Sequence, residues 1–363
     1  MTTLFVNGRF LTQRVTGVQR YGLELMRALD GLMDAPARVP RIRLVCLAPP
    51  GDYSPPGWKN IELRKVGINR GNTWEQIDLA LFLDGELLFS PANIGPWHYR
   101  NQIVMFHDAS VFAVPEAYSR AFRAKYVFVF RRLSRTARAV ITNSDFSRHE
   151  LARYLQLPAD RVKVVPLGAD HIKRVAADSR ILHEHNLLEK PYLLLVASLS
   201  PHKNIQRVAA ALKLMRSQPT ILVAGDAPNR LVFRSSGPHD LPANMRVLGY
   251  VSDAQLRALY EHAVGLIFPS TYEGFGLPIL EAMQCGCPVL CADAASLPEV
   301  AGDAALFFDP LDARDLAEKL GTFLDSPGLR DDLRRRGHLH SARYAWSQTA
   351  AETLKIFLDV LGE

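Results

Sequence analysis

Residues 264–290 read VGLIFPSTYEGFGLPILEAMQCGCPVL. The opening run, VGLIFPS at 264–270, is apolar without alternation, the pattern of a short strand buried on both faces. A polar turn follows and runs into an apolar helical pattern. Pro278 suits the first position of a helix, where its missing N–H is not needed. Gly274 and Gly276 let the backbone turn sharply and approach a ligand closely. Free N–H groups and the helix dipole at such a start attract an anion, a diphosphate for example. Glu281 falls about one turn inside the helix, where its carboxylate could accept bonds from the two hydroxyls of a ribose. Glu273 precedes the turn and could accept from hydroxyls of a sugar beyond the phosphates. Taken alone, two glutamates at this spacing are also what a helix cap and a surface position would give. The GFGLP turn between them, and Lys203 behind another strand, favour a site.

Working outward, similar apolar runs recur: TLFVNG at the start, IRLVCLA at 42–48, QIVMFHD at 102–108, AVITNS at 139–144, KVVPLG at 163–168, YLLLVAS at 192–198 and TILVAG at 220–225. Segments between them, such as VQRYGLELMRALDGLM and NIQRVAAALKLMRS, carry apolar residues at helical spacing. Strand alternating with helix predicts parallel sheets covered by helices on both sides. The series restarts near Pro191, after a stretch, ADHIKRVAADSRILHEHNLLEKP, that has no strand pattern. The fold class expected is therefore α/β, with two doubly wound Rossmann-like domains facing a cleft, at residues 1–175 and 176–344. A length of 363 residues agrees with two domains of roughly 150 residues each.

In doubly wound sheets, ligands sit beyond the carboxyl ends of the strands. Polar and glycine-rich residues gather at those ends here. Gly17 opens the first helix, and His107-Asp108 follows QIVMF. PHKN, with Lys203, follows LLLVASLS, and Asp226 follows ILVAG. MRVLGYVS presents Gly249 and Val251, and TYEGFGLP closes the series.

Composition narrows the function classes. Hydrophobic residues make up 48% and charged residues 22%, as in an ordinary globular protein. No apolar run reaches the roughly 18 residues a spanning helix needs, and MTTLFVNGRF lacks the pattern of a signal peptide. Cys46, Cys285, Cys287 and Cys291 have no histidine at zinc spacing, so buried thiols in a reducing cytoplasm are expected. Residues 1–175 hold 25 Lys and Arg against 15 Asp and Glu, a balance of +10; the remainder holds 18 against 22, a balance of −4. Within the basic half, YSRAFRAKYVFVFRRLSRTAR at 118–138 interleaves seven basic residues with aromatics. That composition fits an amphipathic helix on an anionic membrane; it fits equally a helix that packs VFVF into the core with arginines outward. No nucleic-acid signature accompanies the charge.

These residues carry a resemblance over nearly the whole chain. It resembles a family-4 retaining glycosyltransferase of the GT-B fold, the glycosyl transferases group 1. The most specific mark is the E-x7-E element, Glu273 to Glu281; VASLSPHKN, NGRFLTQRVTGVQRYGLELMRAL and VLGYVSDAQLRALY match further elements. YAWSQTAAETLKIF resembles the family's terminal helix, which implies that 345–363 packs back onto the N-terminal, acceptor-binding domain. The resemblance implies that Lys203 neutralises the donor diphosphate and that amides around Gly274, Phe275, Gly276 and Leu277 bind the β-phosphate. It implies that Glu281 holds the ribose, Glu273 the donor sugar, and Gly249 and Val251 the base. Gly17 would let the first loop approach the donor, and His107 would face the donor sugar as a catalytic residue with Glu273 and Lys203. One position departs from the pattern: Ser198 stands where the family often has an arginine as second phosphate cation.

The activity implied is transfer of a hexose with retention, from a nucleotide sugar to a glycan or lipid-diphosphate-linked acceptor in cell-surface polysaccharide synthesis. The TGVQRY segment points first to mannose from GDP-mannose. The chain has no D-x-D motif, and with Lys203 and the helix start this argues for a metal-independent enzyme; no cofactor is expected. Expected partners are the donor, the glycan acceptor and a peripheral membrane contact, with no nucleic acid. The expected location is cytoplasmic, at the inner face of the membrane. A sugar-nucleotide epimerase, a phosphorylase or a non-catalytic sugar-nucleotide-binding module are the alternatives.

Overall fold

The computed structural model describes residues 2–34, 42–53, 56–225 and 241–362. The chain divides into two units: unit 1 comprises 1–109, 124–168 and 345–363, and unit 2 comprises 110–123 and 169–344. Residues 169–175 thus go with unit 2.

Unit 1 is built on seven parallel strands: β1 (Thr2–Asn7), β2 (Ile42–Ala48), β3 (Glu62–Lys65), β4 (Leu87–Ser90), β5 (Gln102–Met105), β6 (Ala139–Thr142) and β7 (Val162–Val164). Their order is β3-β2-β1-β4-β5-β6-β7, in register Leu4 to Leu44 on one side of β1 and Leu4 to Leu87 on the other. The inner strands are apolar because both faces are covered; Leu4, Val6, Leu44, Leu88 and Phe89 are wholly buried. Each such side chain contributes roughly 1.5–3 kcal/mol by leaving water. The terminal helix Trp346–Leu361 packs along the Gly17–Leu32 helix. Its Trp346 ring lies 6.2 Å from that of Tyr21, and Phe357 lies 4.9 Å from Phe89. Gly168 is required where the Trp346 backbone passes, since a Cβ there would meet its nitrogen at 2.2 Å.

Unit 2 has six parallel strands: β8 (Tyr192–Val196), β9 (Thr220–Ala224), β10 (Met245–Gly249), β11 (Gly265–Phe268), β12 (Val289–Ala292) and β13 (Ala305–Phe308). They are ordered β10-β9-β8-β11-β12-β13. Chain order reverses between β8 and β11 in this sheet and between β1 and β4 in the other. These are the switch points at which crevices open beyond the strand ends. The fold class read from the sequence is therefore that of the protein, two parallel doubly wound units. Each of the eight apolar runs read as strands overlaps one, and β2 matches IRLVCLA residue for residue. The strands β3, β4, β12 and β13 were not read as such.

All four cysteines are free; Cys46, Cys287 and Cys291 are buried, and Cys285 is partly so. Burial pushes their thiols up, which keeps them protonated and inert. Among the described residues no helix is long and apolar enough to cross a membrane, and no cluster of three or more His, Cys, Asp or Glu is arranged to hold a metal.

Candidate functional site

The loops after β8 and β11 meet at the switch point of unit 2. After β8 the chain makes a single 3-10 turn, Pro201–Lys203, closed by the Lys203 N–H donating to Ser200 O at 3.0 Å. Asn204 then adopts a left-handed conformation, φ 56°, which asparagine tolerates better than most residues. Its side-chain amide donates to Pro269 O at 3.1 Å and Pro310 O at 2.8 Å. From the other loop, Thr271 donates to His202 O through its N–H at 2.9 Å and its hydroxyl at 3.2 Å. Three hydrogen bonds thus fix the two loops against each other, and the fourth ties Asn204 to the segment after β13.

That stitching brings Lys203 and Glu273 together, Nζ to Oε1 at 2.6 Å, with side chains only 19% and 15% exposed. Burial pushes the Glu273 carboxyl up, but Lys203 and then His202 pull it back, and the balance leaves it below the usual range. His202 is held down to about 4 by burial and by Lys203, against the pull of Glu273. It is therefore neutral near pH 7, and Lys203 is the full positive charge of this loop. Ser198 bonds to Ser200, Oγ to Oγ 2.9 Å, so the position that departs from the resembled pattern offers hydroxyls and no charge.

Behind Glu273 the glycine turn feeds the Leu277–Gln284 helix. Gly276 caps it in the left-handed region at φ 93°, and a Cβ there would meet Leu297 Cδ2 at 2.7 Å. Both backbone angle and space require glycine. Ser296 Oγ donates to Glu273 O at 3.0 Å and holds the turn from behind. Among the described residues the N–H groups of Phe275, Gly276 and Leu277 have no backbone acceptor. A helix start with free amides beside a lysine suits an anion.

Glu281 lies deeper, 7% exposed. Its Oε1 is 3.0 Å from His171 Nε2 and its Oε2 accepts from Tyr260 OH at 3.2 Å. Neither His171 nor Tyr260 was read as a site residue. His171 lies in the stretch read as a hinge and Tyr260 inside an ordinary amphipathic helix; a histidine 110 positions from its partner leaves no spacing signal.

Gly249 and Val251 lie at the carboxyl end of β10, two strands from β8. Gly249 needs its glycine, at φ 75°, and its carbonyl accepts from Gly225 N at 2.8 Å. In the sheet order β9 stands between their strand and β8. Asp226 lies outside the described residues.

In unit 1, His107 follows β5 and is 6% exposed. Its Nε2 lies 2.9 Å from the Pro91 carbonyl, which must accept, so the proton sits on Nε2. Its N–H donates to Asn93 Oδ1 at 2.8 Å, and the Tyr21 ring meets it edge-on at 5.0 Å. Burial lowers its pKa, against the Pro91 carbonyl and Asp108. The imidazole is therefore neutral near pH 7, with Nδ1 as its acceptor nitrogen. Gly17, the first residue of its helix, has nothing within 4 Å of where a Cβ would stand.

Residues 179–340 match the family described as glycosyl transferases group 1, and residues 30–173 match glycosyltransferase family 4. The chain is 34% identical over 276 residues, 72% of its length and 71% of the other's, to O-antigen chain mannosyltransferase B of Escherichia coli. Among solved structures, sucrose-phosphate synthase from Thermosynechococcus elongatus superposes with a TM-score of 0.76 at 18% identity, covering 99% of both chains. HepE from Anabaena, solved in complex with UDP and glucose, gives 0.71 at 18% identity, covering 98% of this chain and 99% of that one. At such identities these two structures speak for the fold.

Proposed function

We propose, for a chain that belongs to the group 1 glycosyl transferases of family 4, that it moves a hexose with retention from a nucleotide sugar to a glycan or lipid-linked oligosaccharide. The first candidate is mannose from GDP-mannose; the name of the E. coli relative supports mannose. The observation that carries the donor reading is Lys203 beside a glycine-capped helix start, one turn from the buried Glu281, at the switch point of unit 2.

In the mechanism this supports, the donor diphosphate takes the place next to Lys203 that Glu273 now holds. Glu273 is then released to accept hydroxyl bonds from the sugar. As the bond from the anomeric carbon to the phosphate oxygen breaks, the acceptor hydroxyl oxygen bonds to that carbon on the same face, its proton passes to the leaving phosphate oxygen, and negative charge grows on the leaving diphosphate. Lys203 and the amides of Phe275, Gly276 and Leu277 meet that charge in a preorganised, poorly hydrated setting. They supply this stabilisation without calling on a metal. Glu281 fixes the ribose and so the register of the diphosphate. His107, neutral and with Nδ1 as acceptor, is assigned to turnover rather than to nucleotide binding.

The basic helix Arg120–Thr136 is proposed as a peripheral membrane contact through its outward residues. Its Val129, Phe130 and Leu133 are core, and Phe130 stacks on Phe106 at 4.0 Å. Phe128 is 55% exposed, and Arg131, Arg132 and Arg135 are exposed with it.

A panel of nucleotide sugars, with nucleoside diphosphate release and product structure as readouts, tests the function. Donor-specific release with an α-linked hexose on a glycan acceptor is the expected result for GDP-mannose. An epimerised sugar nucleotide, an inverted linkage or no turnover with any donor would overturn it.

A further inference from the structure

We propose that His171 and Tyr260 are positioning residues that set the selectivity of Glu281 for a ribose diol, one holding each carboxylate oxygen. The proposal rests on the reading of Glu281 as the ribose acceptor.

The terminal torsion of a glutamate is broad and nearly two-fold. A carboxylate that must accept from two adjacent hydroxyls needs its plane fixed. Here one donor stands on each oxygen, His171 Nε2 at 3.0 Å and Tyr260 OH at 3.2 Å. All three groups are buried: His171 is 4% exposed, Tyr260 0% and Glu281 7%.

The two donors also belong to one assembly. His171 opens the short helix His171–Arg174, and Tyr260 sits in the helix Asp253–His262. From that same helix the Arg257 guanidinium donates through Nη1 to Lys173 O at 3.0 Å and to Val175 O at 2.7 Å. The His171 turn is thereby clamped to the element that carries Tyr260. The longer helix is itself well started, with Ser252 and Gln255 in a reciprocal capping box. Nothing in this arrangement is needed to close the helix of Glu281, which Gly276 already caps.

The test compares GDP with 2′,3′-dideoxy-GDP, and UDP with 2′,3′-dideoxy-UDP, by calorimetric titration of the full chain. The wild-type protein is expected to favour the ribonucleotide by roughly tenfold or more, the scale of one charge-assisted hydrogen bond. Glu281→Ala should erase that preference. His171→Leu and Tyr260→Phe should each shrink it several-fold while leaving the dideoxynucleotide affinity unchanged. His171→Gln, which keeps a donor, should restore most of it. A His171→Leu or Tyr260→Phe protein that keeps the wild-type ratio, or that loses affinity for both nucleotides equally, overturns the positioning role while leaving the ribose reading intact. A Glu281→Ala protein that keeps the wild-type ratio, or a wild-type protein that binds none of the four, overturns the ribose reading and this proposal with it. Unchanged dideoxynucleotide affinity in each variant serves as the check that it has folded.

Discussion

Lys203 Nζ lies 2.6 Å from Glu273 Oε1, across two loops that leave adjacent strands of one sheet. Each partner is mostly enclosed, so separating them without a substitute leaves a poorly hydrated charge on both sides. Under the proposed function, an incoming diphosphate would be such a substitute for Lys203, and sugar hydroxyls one for Glu273. Under the proposed function, the pair would hold the site in order until a donor arrives.

The turn beside this pair tolerates no side chain at Gly276. Gly276→Ala should destabilise the protein by about 1–3 kcal/mol, from a left-handed backbone and a 2.7 Å encounter with Leu297. Nucleotide affinity should fall with it. Thermal or denaturant unfolding checks the first effect and titration the second. A substituted protein with wild-type stability and affinity would mean that the turn is not held as described.

His107→Ala is expected to lower kcat at least about tenfold more than it lowers donor affinity, because its assigned work is in turnover. Steady-state kinetics alongside equilibrium titration separates the two. Equal losses in both would remove the turnover role.

The chain reveals its strands where burial is two-sided and continuous. IRLVCLA is one such run and coincides with β2. The four strands missed have local reasons. ELRK in β3 is a polar edge strand, half-buried to exposed. LLFS and ALFF contain no β-branched residue, which removes a mark that separates a strand from a buried helix segment, and VLCA contains one, Val289. The glycine turn was legible because backbone geometry there restricts residue type. The Glu281–His171 bond was not, because nothing local distinguishes that histidine from a loop residue.

Stability should depend on pH through His202. Its pKa falls from an ordinary 6.5 unfolded to about 4 folded. Between those values the unfolded chain binds a proton that the folded one does not, so stability drops as pH falls from 6.5 towards 4. The lowered pKa of His107 acts in the same direction. His202→Gln should flatten part of this slope in denaturant midpoints measured across that range. An unchanged slope would show that His202 titrates normally in the folded protein.

Replacing Arg131, Arg132 and Arg135 by alanine should weaken binding to vesicles containing anionic lipid, and added salt should weaken the wild-type protein in the same way. Co-sedimentation reads both. A wild-type protein that never sediments with such vesicles removes the membrane contact.

The central claim is that Lys203 and the helix start at 274–277 hold a diphosphate. Titration of wild-type and Lys203→Met protein with GDP and with guanosine, and with UDP and uridine, tests it most directly. Lys203→Met is expected to lose affinity for the diphosphate by roughly tenfold or more while nucleoside binding stays as it was. A variant that binds GDP and UDP as tightly as the wild type would contradict it.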